Sequence, residues 1–182
     1  MQKVVLSEVS LVYGEVKTPK GFEIDRKTIK NTIIDSYVKE NRISDNVLDY
    51  SYNDYKIPHS QKLQWLVDYI RDHFKSEHHQ TLIPKLNFAT VLNSKEKSLN
   101  RNNIDPVDLR NAADYTCVYG VDINGDCDVV IEYDDNRRAG RTWRVPIKNN
   151  NYYIFPSTQR YFFTANKSNK LNVILTMTYE YI

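Results

Sequence analysis

Beyond His79 this 182-residue chain contains no histidine; the four it has are His59, His73, His78 and His79. The long C-terminal part therefore cannot build an imidazole-based metal centre or a Ser-His-Asp triad from its own residues. Cysteine is nearly as scarce. Cys117 and Cys127 are too few for a disulfide framework and are read as free, buried thiols of a reducing compartment. The five glycines form no phosphate-binding loop. No apolar run approaches the roughly 20 residues of a membrane span. The opening Met1-Gln2-Lys3-Val4-Val5-Leu6 soon meets Ser7, Glu8 and Ser10, which excludes a signal peptide. A cytoplasmic protein is expected. Charge of one sign is also lacking: 25 basic and 23 acidic residues leave +2, which calls for neither nucleic acid nor an anionic membrane.

What is present suits a folded, soluble domain. Hydrophobic residues make up 41% and charged residues 26%, and the length fits one domain over 1–182. Tyrosine is abundant, with 14 residues, as in protein interfaces and in sheets. The N-terminal section, 1–81, reads as a strand region and two helices. Residues 3–17 alternate loosely and break at Gly14. Asp25 is placed to cap a helix over about 26–40, with Ile29, Ile33, Ile34, Tyr37 and Val38 on one stripe. A polar, tyrosine-rich stretch over 42–59, with Tyr50, Tyr52 and Tyr55, reads as a long loop. Ser60 then caps a second helix over 61–75, whose Leu63, Leu66, Val67, Ile70 and Phe74 recur at three and four.

From Leu82 the period changes to two. Leu86, Phe88, Thr90 and Leu92 mark a strand, and a polar tract from Asn93 follows. Tyr115, Cys117, Tyr119 and Val121 share one face, as do Cys127, Val129, Ile131 and Tyr133. Asn124-Gly125-Asp126 between them is read as a hairpin turn. Further strands are expected at 141–147, 152–155, 159–164 and 171–181. The pattern predicts an α+β fold: a jelly roll over 82–182 with two helices packed on one sheet.

Several segments carry a resemblance in order: Asp114-Tyr115-Thr116-Cys117-Val118-Tyr119-Gly120-Val121, Trp143-Arg144-Val145-Pro146, Tyr153-Ile154-Phe155-Pro156-Ser157, and the polar turn 166–170 before the last strand. Over 84–182 the chain resembles the short 2-oxoglutarate/Fe(II) oxygenases of marine bacteria and phages, whose fold is a double-stranded β-helix. That family holds iron with a His-x-Asp pair and a distal His, and grips its co-substrate with an Arg. The resemblance puts Asn103 and Asp105 at the pair, Tyr161 near the distal His, and Asn172 near the Arg. Only Asp105 retains the required type.

The resemblance with its ligands missing implies a scaffold without metal or other cofactor and without catalysis. Its expected work is contact with other protein subunits in a homo-oligomeric ring or a phage particle, such as a neck, tail or baseplate. In that case it would end in the virion. The loop 42–58 and the tract 93–112 are then expected interface arms, with Tyr50, Tyr52 and Tyr55 in the first. Arg137, Arg138, Arg141 and Arg144 form a basic cluster that could meet an acidic partner or phosphate, or simply balance Asp134 and Asp135 at a hairpin tip. Asp134-Asp135-Asn136 could hold a divalent ion, although acidic turns need none. Two other readings stand beside this one. An active oxygenase would need His73, His78 or His79 in the barrel mouth beside Asp105. A sugar-binding or other small-ligand jelly roll would stack its ligand on Trp143, Tyr119 and Tyr153.

Overall fold

A computed structural model describes residues 9–43, 54–57, 60–104, 107–134 and 140–182, with backbone alone at 40–43 and 54–56. The helices form where the stripes predict. Helix α1 spans Arg26–Ile43, and the Asp25 carboxylate accepts from the Thr28 N–H at 3.1 Å, capping its first turn. Helix α2 spans Gln61–His78. The Ser60 hydroxyl accepts from the Leu63 N–H at 3.2 Å, and His79 closes the other end in a left-handed conformation, φ 57°. The predicted stripe Leu63, Leu66, Val67, Ile70 and Phe74 is buried. Each such side chain contributes about 1.5–3 kcal/mol on leaving water.

Among the described residues there are nine strands, in chain order β1 Val12–Glu15, β2 Asp54–Lys56, β3 Leu82–Leu92, β4 Tyr115–Asp122, β5 Asp128–Tyr133, β6 Arg141–Pro146, β7 Asn151–Pro156, β8 Arg160–Phe163 and β9 Asn172–Tyr181. They form a six-stranded sheet in the order β1-β7-β4-β9-β3-β2 and a three-stranded sheet in the order β6-β5-β8. All strand pairs are antiparallel.

The alternation of side chains divides the core in two. Val173, Leu175, Met177 and Tyr179 of β9, with Cys117, Tyr119 and Val121 of β4, face the helices and pack on Ile29, Ile33, Leu66 and Ile70. Ile174 of β9 and Val118 of β4 point the other way, between the sheets, and meet Val129 and Ile131 of β5 and Phe163 of β8. The fold is the expected α+β double-stranded β-helix with two helices on one sheet.

Three expectations need correction. Asn124-Gly125-Asp126 does not make a hairpin, because β4 and β5 belong to different sheets. The turn carries the chain across the barrel, and a Cβ on Gly125 would lie 2.6 Å from that of Ser168, so close approach rather than hairpin geometry requires the glycine. Gly14 lies inside β1 rather than breaking it, in register with Tyr152. The loop over 42–59 is interrupted: α1 runs to Ile43, and β2 pairs with β3, Tyr55 opposite Ala89.

Candidate functional site

The inward faces of the strands give the barrel two unlike ends. At one end Leu92, Cys127, Ile147 and Ile174 pack together, with the buried Asn172 beside them and the buried Asn166, whose Nδ2 donates to the Leu92 carbonyl at 3.0 Å. At the other end the inward residues turn polar: Thr116 pairs with Thr178 across β4 and β9, and Ser157 lies beside them. All three are buried. This polar end is the candidate site.

The segment after β3 closes it. Its backbone runs along β8, with the Arg101 N–H given to the Tyr161 carbonyl at 2.9 Å and the Tyr161 N–H returned to the Arg101 carbonyl at 2.7 Å. Ser98 and Asn103 donate their N–H groups to the Phe163 and Ser157 carbonyls. The first part of the polar tract is therefore bonded to the barrel and is not a separate arm, a correction that follows from its paired backbone. Residues 101 and 103 alternate, which sends both side chains the same way, into the mouth.

The Asn103 Nδ2 donates to Thr116 Oγ1 at 2.8 Å and to Tyr161 Oη at 3.2 Å. Arg101 Nε donates to the same Tyr161 Oη at 3.1 Å, and its Nη2 to Thr90 Oγ1 at 3.1 Å. The Thr116 and Ser157 hydroxyls lie 2.9 Å apart. The guanidinium also lies over the rings of Tyr161, Phe88 and Phe163, at 5.2, 5.4 and 5.8 Å. Ring faces attract a cation, so three of them hold this charge in the barrel. On β9, the Thr176 hydroxyl is fully buried on the inward face and has no hydrogen-bond partner.

Of the positions read from the sequence, the structure brings Asn103 and Tyr161 together and leaves Asn172 apart. Asn172 begins β9 at the apolar end, where its Oδ1 accepts from the Asn124 N–H at 2.8 Å. Its amide also lies by Cys127, whose thiol burial pushes up to about 11, the nearby Asp128 charge acting the same way. Cys117 is pushed up further by complete burial. Both cysteines are free. Asp105, Arg137, Arg138, Tyr50 and Tyr52, like Asp135, Asn136 and His59, lie outside the described residues, as does the side chain of Tyr55. Arg141 and Arg144 are exposed on β6, and Arg144 pairs with Asp128 at 3.4 Å. Asp134 accepts from the Gly140 N–H at 2.7 Å, plain turn chemistry.

The remaining candidates do not converge on the mouth. His73 and His78 sit on α2, outside the six-stranded sheet, against Tyr152 and Phe74. His79 is the helix cap. Tyr119 faces the helices, Tyr153 is buried between the sheets and donates to the Pro146 carbonyl, and Trp143 stands 57% exposed on β6. The three share no stacking surface, because adjacent strands present them to different sides.

Sequence reading missed Arg101, Thr90, Thr116, Ser157 and Thr176. The signal for Arg101 was available: it precedes Asn103 by two residues and so shares its direction in an extended segment.

No family model and no curated protein matches this sequence. Solved structures match its fold. A non-heme α-ketoglutarate-dependent carbocyclase, SnoK, of nogalamycin biosynthesis superposes with a TM-score of 0.65 at 10% identity, covering 94% of this chain and 79% of its own. The viral collagen prolyl hydroxylase of Paramecium Bursaria Chlorella virus-1 gives 0.60 at 9% identity, over 93% and 94%. A Pseudomonas putida prolyl-4-hydroxylase gives 0.57 at 8%, over 93% and 91%. The chain thus has the double-stranded β-helix fold of the 2-oxoglutarate/Fe(II) oxygenases.

The residues at the mouth do not fit that family's iron. Fe(II) in such sites takes two imidazoles and a carboxylate. At two of the positions that the sequence resemblance assigns to those ligands there are an amide and a phenol, bonded to each other, and a guanidinium lies 3.1 Å from the phenol oxygen. A second cation beside it would be repelled. Among the described residues no group of three His, Cys, Asp or Glu side chains is placed to hold a metal.

Proposed function

We propose that this chain is an iron-free, non-catalytic relative in fold of the 2-oxoglutarate oxygenases, and that it works by binding, through contacts with other protein subunits. The observation that carries the reading is the Asn103–Tyr161–Arg101 hydrogen-bonded cluster, two of whose members are the residues that the sequence resemblance aligns with iron ligands. Among the described residues, side chains that satisfy one another there supply no donor set for iron. One surface open to a partner is β6, an edge strand of the smaller sheet whose Arg141, Thr142, Trp143 and Arg144 are all exposed. None of the matching structures named above is a virion component by its title, so the phage-particle role rests on the sequence resemblance alone.

A second reading is favoured by the comparisons themselves, whose titles are those of oxygenases and hydroxylases. By the sequence reading, a 2-oxoglutarate/Fe(II) dioxygenase needs His73, His78 or His79 in the mouth beside Asp105, and these three lie on or at the end of α2, across the sheet. Thermal unfolding under anaerobic conditions, with and without Mn(II) plus 2-oxoglutarate, separates the two. A ligand at about a hundred times its Kd adds about 2.7 kcal/mol. The binding-protein reading expects no rise in Tm; a rise that needs both additions would establish the oxygenase.

A further inference from the structure

We infer that this chain associates head-to-tail with further copies of itself, the exposed turn Asp108–Asn111 of one copy seating in an aromatic groove on α2 of the next. The inference rests on the reading that the protein works through contacts with other subunits, and it names the subunit and the two surfaces.

The groove lies on the side of α2 that its buried stripe leaves outward. Trp65, Asp68 and Asp72 recur there at three and four, opposite Leu63, Leu66 and Ile70. The loop before α1 folds over this side and lays the Phe22 ring on Trp65, with centroids 4.4 Å apart. With Tyr69 the two rings line an open groove of about 980 Å³. Trp65 stays 48% exposed despite the stack. Aromatic surface gathered in this way suits the core of a protein contact.

The groove is also acidic. Asp68 and Asp72 line it, and no basic side chain does. Arg71 bonds both carboxylates, at 2.8 and 2.9 Å, so two negative charges share one positive. Gln64 adds a donor to Asp68 at 2.9 Å. All these bonds go to Oδ1 of each carboxylate, and Oδ2 keeps its capacity to accept. An occupant of matching chemistry brings an aliphatic group and a cation.

The chain carries such an occupant. In the later part of the polar tract, Leu109 is 69% exposed, and Arg110 is exposed beside it. The turn that presents them is braced from within: the Asp108 carbonyl accepts from the Asn111 N–H, and its carboxylate from the Asn111 Nδ2 at 2.6 Å. A turn already formed loses little freedom on docking. The exposure of Leu109 and Trp65 shows that the turn does not fill the groove of its own chain. Turn and groove are different patches, so a copy that docks its turn still offers its groove to a third. Such an interface builds a closed ring or a filament.

The test is sedimentation velocity of the full chain at concentrations up to about 0.5 mM, where even an interface of about 1,000 Å² registers. The sedimentation coefficient is expected to rise with concentration. Leu109→Asp and Trp65→Ala, both changes at the surface, are each expected to weaken association about tenfold or more, and Arg110→Glu several-fold. Mixing is decisive. Together the Leu109→Asp and Trp65→Ala chains hold one intact groove and one intact turn, and they are expected to form a dimer that grows no further. A chain monomeric throughout, association that ignores either variant, or a mixture that stays monomeric would overturn the head-to-tail contact. Each of those results leaves the iron-free reading standing, since that reading falls only to the Mn(II) and 2-oxoglutarate test.

Discussion

The two ends of the barrel are made by the same strands and differ in what holds them. The closed end is mainly apolar: Leu92, Cys127, Ile147 and Ile174 are buried there, and its two buried amides, Asn166 and Asn172, are bonded to backbone at its rim. The mouth is a hydrogen-bonded cluster of Arg101, Asn103, Thr116, Ser157 and Tyr161. Apolar packing is non-directional and tolerates changes of shape, whereas a buried polar cluster is stable only when its members are bonded to one another. The closed end therefore carries stability and the mouth carries specificity.

The contrast is broken most sharply at the closed end. Ile174→Ala removes a fully buried side chain between the sheets and is expected to lower unfolding stability by about 2–5 kcal/mol, read from the denaturant midpoint. Alkali acts on the same end. Cys127 has its thiol raised from 9.0 to about 11, so the unfolded chain releases that proton first. Stability is then full below pH 9 and falls as pH rises from about 9 to 11, by about 2–3 kcal/mol for that thiol. Cys127→Ala should flatten this slope. A profile unchanged by that variant would show that other groups cause the fall.

Changes at the mouth should be smaller. Tyr161→Phe deletes the oxygen that accepts from both Arg101 and Asn103 and should cost about 1–3 kcal/mol, since two donors lose their acceptor. Thr176→Val should have the opposite sign. It removes an unbonded hydroxyl and is expected to stabilise by up to about 1 kcal/mol in the same denaturant assay. Destabilisation by Thr176→Val would mean that the hydroxyl has a bonded role in the barrel, and the difference between the ends would narrow.

Much of this was legible beforehand, for reasons that can be named. The helices followed from Leu63, Leu66, Val67, Ile70 and Phe74 at helical spacing and from the Asp25 and Ser60 caps, which are local signals. The free thiols were read correctly because two cysteines cannot form a framework. The pairing of strands was harder. Asn124-Gly125-Asp126 has hairpin chemistry, yet the glycine answers to Ser168, more than forty residues away in sequence, and no local pattern reports such a contact. The mouth was half visible. Asn103 and Tyr161 were found by their place in the motif order, but Thr90, Thr116, Ser157 and Thr176 are ordinary strand residues whose convergence exists only once the sheets close. Arg101 looked like one more charge in a polar tract because its ring partners lie on two other strands.

The place of β9 in the larger sheet has a temporal consequence. It follows all the other described strands in sequence, and it lies in the interior of the sheet, bonded to β3 on one side and β4 on the other. Until it has left the ribosome, those two strands expose bare edges towards each other and neither half of the core can close. Synthesis at about 5–20 residues per second then leaves the nascent sheet open for seconds, and closure waits on contacts between distant parts of the chain. This barrel completes itself from the middle, after its other strands have been made, and the edges of β3 and β4 are where a chaperone would be needed.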